Sequence, residues 1–154
     1  MKLQLFLTII IIDQFSKYLI NQNITNNSFY DFLPFIKIIN IKNSGISFGL
    51  FANVFSPIIF KLVIGFIIFF LILWFFNSKN NLEKWGLITV LGGAFGNFID
   101  RIIFNEVTDF IFFYYNDYYW PAFNIADISI SVGVILMIFA TYNNYIDSVK
   151  RNNE

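Results

Sequence analysis

This chain of 154 residues is 57% hydrophobic and 21% aromatic but only 13% charged, against about a quarter charged in an ordinary soluble domain. A soluble domain of this size could not hide so much apolar surface, so the composition calls for lipid. The formal net charge of zero removes any electrostatic case for nucleic-acid binding. With no Cys and no His, disulfides, thiol nucleophiles, Ser-His-Asp triads and His/Cys zinc sites are excluded, and chemistry is left to carboxylates, hydroxyls, amides, Lys and Arg.

Crossing a bilayer takes about 20 mostly apolar residues as a helix. The first such run, residues 3–20, is interrupted by Asp13, Gln14 and Lys17. Those polar residues and the lack of a small-residue cleavage pattern argue for a retained span rather than a removed signal peptide. Asp13 and Lys17 are four apart, share a helix face and can neutralise each other, which reads as a structural pair locking helices together. The outer segment 21–55 follows. Within it Phe35 to Ile41 nearly alternates, Asn43-Ser44-Gly45 signals a turn, and Ile46 to Phe51 resumes an apolar pattern, so a short hairpin is expected.

The second span, residues 56–76, is almost uniformly apolar. The third, about 85–104, carries Gly92 and Gly96 at the small-xxx-small spacing that lets helices approach closely. Gly93, Asn97 and Arg101 form a stripe beside Asp100. That stripe reads equally as a packed groove ending in an Asp-Arg pair or as a site binding a peptide carbonyl or lipid phosphate. Segment 105–124 is rich in aromatics, Phe110 to Tyr115 and Tyr118-Tyr119-Trp120, suited to the headgroup region as an anchor or a lid. The fourth span is about 125–146.

Lys2, Lys79, Lys84, Lys150 and Arg151 fall on one side of these spans, while on the other 21–55 has Lys37 and Lys42 and 105–124 has no Lys or Arg. Both termini are therefore expected in the cytoplasm, with the two longer segments outside. The expected architecture is a single all-α membrane domain, residues 1–154, of four transmembrane helices. To these it adds a small outer β-hairpin or cradle and a short outer amphipathic segment.

Asp109 and Asp127 lie eighteen residues apart at the two ends of the second outer segment, both at the outer membrane level. Two carboxylates in contact cannot both ionise cheaply, so one keeps a proton. The ionised member then takes a proton from water while the other polarises a carbonyl. Alone, this spacing reads rather as an N-cap, Asp127, and a solvated loop carboxylate, Asp109.

The order of five motifs decides between these. Asp13-Gln14-Phe15-Ser16-Lys17, Asn43-Ser44-Gly45-Ile46-Ser47-Phe48-Gly49, Gly92 to Arg101, Val107-Thr108-Asp109-Phe110 and Phe123-Asn124-Ile125-Ala126-Asp127 together resemble bacterial lipoprotein signal peptidase, also called signal peptidase II. The resemblance runs from the first span into the fourth. It implies a four-helix membrane bundle with an outer β-cradle and a short outer helix. It implies an aspartic endopeptidase that cuts diacylglyceryl-modified prolipoproteins before the lipidated cysteine, with Asp109 and Asp127 as the catalytic pair. On the same basis Asn43, Gly45, Asn97, Arg101 and Asn124 line or support the site, and Asp13 and Lys17 match the first-span pair. No metal or organic cofactor is implied. The partners are the prolipoprotein substrate and membrane lipids, the chain is expected to be a monomer in the bacterial inner membrane, and the site lies near the outer face. Ile46 and Ser47 depart from the family's usual Asn-Thr-Gly-Ala-Ala. The rival from another class is a small ion-coupled transporter or channel subunit using the intramembrane Asp and Lys. A serine-lysine protease built on Lys17 with Ser44 or Ser47 is weaker, because Lys17 lies mid-span.

Overall fold

Residues 1–26, 28–45 and 56–152 are described by a computed structural model of the chain. In chain order it has helix α1 (Lys2–Asn23), strands β1 (Phe29–Leu33) and β2 (Ile36–Asn43), helices α2 (Pro57–Asn77) and α3 (Asn81–Phe104), strands β3 (Val107–Tyr115) and β4 (Tyr118–Tyr119), and helix α4 (Ile125–Asn152). All four helices are long and apolar enough to cross a membrane. Their ends follow local chemistry. Ser56 caps α2, with Pro57 at its first turn, where a missing N–H costs nothing. The Asn80 side chain accepts from the N–H groups of Leu82 and Glu83 to cap α3. Asn105 ends α3 in the left-handed conformation that Asn tolerates better than most residues.

Helix α3 is the centre of the bundle: it packs against α1, α2 and α4, and α2 joins the rest through it. Its glycines allow this. A Cβ on Gly93 would stand 2.3 Å from the Ala126 carbonyl oxygen, and one on Gly96 would stand 2.6 Å from Asp13 Oδ2. The small-residue spacing thus holds, and it serves two partners: Gly92 and Gly96 face α1, while Gly93 faces α4. The outer faces of the other helices are bare apolar surface, with Ile11, Phe15, Leu62, Phe66 and Ile138 all exposed. Such a surface is stable only in lipid.

One end of the bundle carries a four-stranded antiparallel sheet in the order β1-β2-β3-β4. Strand β2 covers the expected first strand, but its partners are β1 and β3. The expected second strand, Ile46 to Phe51, lies outside the described residues. The aromatic stretch of the second outer segment, read as an anchor or lid, is instead β3 and β4, joined at Asn116 with φ 52°. Burial falls along β3 from its start to its end: Val107 to Phe110 are all buried, whereas Tyr115 is exposed.

The two ends of the bundle are distinct. At one, Lys2 Nζ donates to Asn81 Oδ1 at 2.7 Å and Asn80 Nδ2 to Asn144 Oδ1 at 2.8 Å, gathering the N-terminus, the α2–α3 connection and the distal part of α4. At the other, Asn21 and Lys42 meet Thr108 beneath the sheet.

Candidate active site

The site forms where the sheet meets the first turn of α4. Asn124 is the N-cap: its Oδ1 accepts from the Asp127 N–H at 3.0 Å, while Asp127 Oδ2 accepts from the Asn124 N–H at 3.1 Å. This reciprocal pair is a capping box. The expected N-cap geometry is therefore present, but Asn124 is the cap and Asp127 its third-residue partner. A third amide of the same turn, Ala126 N–H, donates to Asp13 Oδ1 of α1 at 2.9 Å. The helix start is thus held by side chains from two helices.

Asp109 comes from β3, where it pairs across the ladder with Ile41. Asn43 lies two residues further along the same face of β2, within reach of a diagonal contact. Its Nδ2 donates to Asp109 Oδ2 at 2.8 Å, and Asn124 Nδ2 donates to Asp109 Oδ1 at 2.7 Å. Asn124 therefore binds both aspartates at once. Asp109 is 4% exposed. Burial pushes its carboxyl up to about 6, against the lowering effect of the Asn43 hydrogen bond, and the nearby Asp127 charge adds to the rise.

The remaining expected residues hold this arrangement. Asn97 Nδ2 donates to Asp127 Oδ1 at 2.8 Å, and Asn97 Oδ1 accepts from Lys17 Nζ at 2.9 Å. The ammonium thereby sets which way the Asn97 amide points. Arg101 donates to the Gly45 carbonyl at 2.8 Å and the Asn97 carbonyl at 3.3 Å, while the Gly45 N–H donates to Asn43 Oδ1 at 2.9 Å. All seven expected site residues thus form one connected network. Ile46 and Ser47 lie outside the described residues.

Two readings of the polar helix residues need correction. Lys17 is not confined to Asp13: its Nζ lies 2.7 Å from Asp13 and 2.7 Å from Asp100, a buried triad linking α1 and α3. The expected Asp100-Arg101 pair is not among the described ion pairs. Consecutive helix residues point about 100° apart, so Asp100 meets α1 while Arg101 meets the Gly45 segment. Gln14, given no role by spacing alone, joins this cluster: its Nε2 donates to Gly96 O at 3.0 Å and Asp100 Oδ1 at 2.9 Å. Its place within an intramembrane polar run was the available signal.

Both aspartates line a cavity of ≈ 560 Å³. Its polar wall includes Asn43, Asn97 and Arg101. Below them it continues between α2 and α4 over apolar side chains such as Ile64, Ile67 and Ile135. A polar end joined to an apolar slot suits a molecule that is part peptide and part lipid.

Comparison with known proteins agrees with this shape. Residues 5–143 match the family described as Signal peptidase (SPase) II. A lipoprotein signal peptidase of Bartonella tribocorum is 37% identical over 145 residues, 92% of this chain and 86% of that protein. One from Coxiella burnetii is 39% identical over 140 residues, 88% and 86% of the two chains. Two solved structures, each described as a bacterial membrane enzyme structure by the in meso method, superimpose with TM-scores of 0.85 and 0.79 at 30% and 32% identity. They cover 94% and 91% of this chain, and this chain covers 88% and 91% of theirs. These relatives are named as peptidases or enzymes, and nothing in them supports the transporter reading.

Proposed function

Since the chain belongs to the signal peptidase II family and is a membrane-embedded peptidase, we propose that it is an aspartic endopeptidase acting on diacylglyceryl-modified prolipoproteins, cutting just before the lipidated cysteine. The observation that carries the reading is the placement of Asp109 and Asp127. They share one residue, Asn124, and face one cavity whose polar end opens into an apolar slot.

The raised Asp109 carboxyl supports its role as the proton holder. With Asp109 protonated, its O–H polarises the scissile carbonyl while ionised Asp127 takes a proton from water. The water oxygen adds to the carbonyl carbon, and the carbonyl oxygen receives the Asp109 proton. Collapse of the tetrahedral intermediate breaks the C–N bond. The proton held by Asp127 passes to the leaving nitrogen, and the hydroxyl proton returns to Asp109. Arg101 and Asn97 on the cavity wall supply donors to the substrate backbone, and the Asn43 and Asn124 amides fix the Asp109 plane. The acyl chains lie along the α2–α4 slot. Substrate and bilayer lipid are the partners in this reading. The enzyme works as a single monomeric domain in the inner membrane, with the site near the outer face.

The test is incubation of purified protein with a synthetic diacylglyceryl lipopeptide spanning the cleavage site. Asp109→Asn, Asp127→Asn and the double variant are compared at equal membrane abundance. Each single change should reduce product formation by at least about a thousandfold, with the double variant little worse, because groups acting as a unit are not additive. A well-expressed single variant retaining near-wild-type cleavage defeats the aspartic assignment.

A further inference from the structure

Residues 120–124 run beside β3, with a register break between Trp120 and Phe123, where three residues oppose two of β3. The Trp120 N–H donates to Phe113 O at 2.9 Å, the Phe123 N–H to Ile111 O at 3.0 Å, and Phe123 O accepts from the Ile111 N–H at 2.9 Å. Phe123 therefore spends both backbone groups on β3. No cis peptide bond is present among the described residues, and in a trans peptide the C=O and the following N–H point in opposite directions. Since the Phe123 N–H points toward β3, the Ala122 C=O points away from it. By the same rule the Asn124 N–H also points away, and that N–H meets Asp127 Oδ2 at 3.1 Å.

The Ala122 carbonyl and Asp127 thus lie on the same side of this segment. Ala122 and Asp127 both line the cavity, and the Ala122 oxygen accepts no hydrogen bond among the described residues. An acceptor left open at a cavity wall is satisfied by water or by a ligand.

We propose that the Ala122 carbonyl is a backbone subsite for substrate. It accepts an N–H from a peptide held extended along the 122–124 edge, and so sets the position of the scissile bond against the dyad. The inference rests on the aspartic-peptidase reading and adds how the peptide is registered. The Asp127 carboxylate occupies the place beside the Asn124 N–H where a neighbouring strand would present a carbonyl. Asn124 is two residues from Ala122, about 6.7 Å along an extended chain. A substrate N–H on Ala122 O therefore places a peptide bond one or two residues away at Asp127.

Pro121 limits the addition. It has no N–H to offer a strand, and it biases Trp120 toward extended backbone. The available edge is therefore confined to the stretch beside the dyad. Main-chain pairing also reads no side chain, which suits an enzyme that must accept differing sequences.

The test uses the Asp109→Asn protein labelled with ¹³C-carbonyl Ala and ¹⁵N Phe. The sequence has two Ala-Phe steps, Ala94-Phe95 and Ala122-Phe123, and Phe95→Leu removes the first, assigning the second. Saturation with the all-amide diacylglyceryl lipopeptide should move the Ala122 carbonyl resonance downfield. An ester oxygen then replaces each backbone N–H in turn, across the two residues on either side of the cleaved bond. One analogue should bind without that shift and be cleaved by the wild-type enzyme with kcat/KM lowered about tenfold, the loss of one hydrogen bond. If the wild type cleaves the all-amide peptide but Ala122 does not move, or moves equally with every ester, the subsite is refuted while the peptidase reading stands. If the wild type leaves the all-amide peptide intact, the peptidase reading fails and takes this inference with it.

Discussion

Asp109 sits in a conflict between burial and hydrogen bonding, and its pH behaviour follows from which effect is larger. Burial raises its carboxyl from 3.8 to about 6 in spite of two amide donors. The folded protein therefore binds more protons than the unfolded chain between those values. The fold is favoured by the protonated form, so this stabilisation is complete below about 4 and is lost as pH rises through about 6. Full ionisation costs about 3 kcal/mol at 1.36 kcal/mol per unit. Asp109→Asn removes that cost but turns one amide donor against another, giving back about 1 kcal/mol. Thermal melts in detergent should therefore show the variant more stable than wild type by about 2 kcal/mol at pH 7.5, with the gap closed or reversed at pH 4. A constant gap across that range would mean Asp109 is not the titrating group. Activity should follow the same proton: kcat/KM for the lipopeptide should fall about tenfold per pH unit above roughly 6. The residues at stake were legible in the sequence because each is a polar type embedded in a recurring motif. The partners of Gln14 and of Asp100 were not legible. A helix face known only from spacing does not say which neighbour it meets.

Between elements, the tie that matters most is the Asp13-Lys17-Asp100 triad, which links α1 to α3 and, through Asp13, to the first turn of α4. Lys17→Met leaves two buried carboxylates facing each other without a cation, a change that costs about 3–5 kcal/mol for a broken buried pair. Adding Asp100→Asn should restore part of the lost stability, because only one carboxylate then remains, and Asp13 keeps its bond to the Ala126 N–H. The comparison of melting temperatures for the single and double variants checks this. A double variant no more stable than Lys17→Met would show that the ammonium acts otherwise than by neutralising the pair. Cleavage should fall in both, since each frees the Asn97 amide that holds Asp127. The four helices were readable from apolar run length, and the helix contacts from Gly92 and Gly96. The sheet was only half readable. Strand β2 alternates in sequence, but its main partner is residues 107–113, some 70 positions away. The aromatics there suit a membrane interface as well as a strand.

At the scale of the whole molecule, the two ends differ in charge, and from this difference an orientation in the bilayer is expected. Lys2 lies 4.7 Å from the Trp85 ring centre and bonds Asn81, so the N-terminus and the α2–α3 connection share one end with Asn144 of α4. Lys79, Lys84, Lys150 and Arg151 join Lys2 there, whereas the sheet end has the fewer Lys37, Lys42 and Lys61, and residues 105–124 have no Lys or Arg. Helix α4 has 28 residues, about 42 Å at 1.5 Å per residue, and exceeds a hydrocarbon core of about 30 Å by roughly two turns. Those turns hold Lys150 and Arg151, whose charges suit both the cytoplasmic side and the C-terminal end of a helix. Reporter fusions after Asn80 and at the C-terminus should therefore read cytoplasmic, and fusions near Ser28 external. Because the dyad lies at the sheet end, an externally added, membrane-impermeant lipopeptide headgroup should reach it in intact spheroplasts. Moving Lys79 and Lys84 to neutral residues should weaken the bias without reversing it, since Lys2, Lys150 and Arg151 remain. A C-terminal fusion that reads external would invert the molecule and put Asp109 and Asp127 on the cytoplasmic side. There, no substrate translocated before its cleavage could meet them.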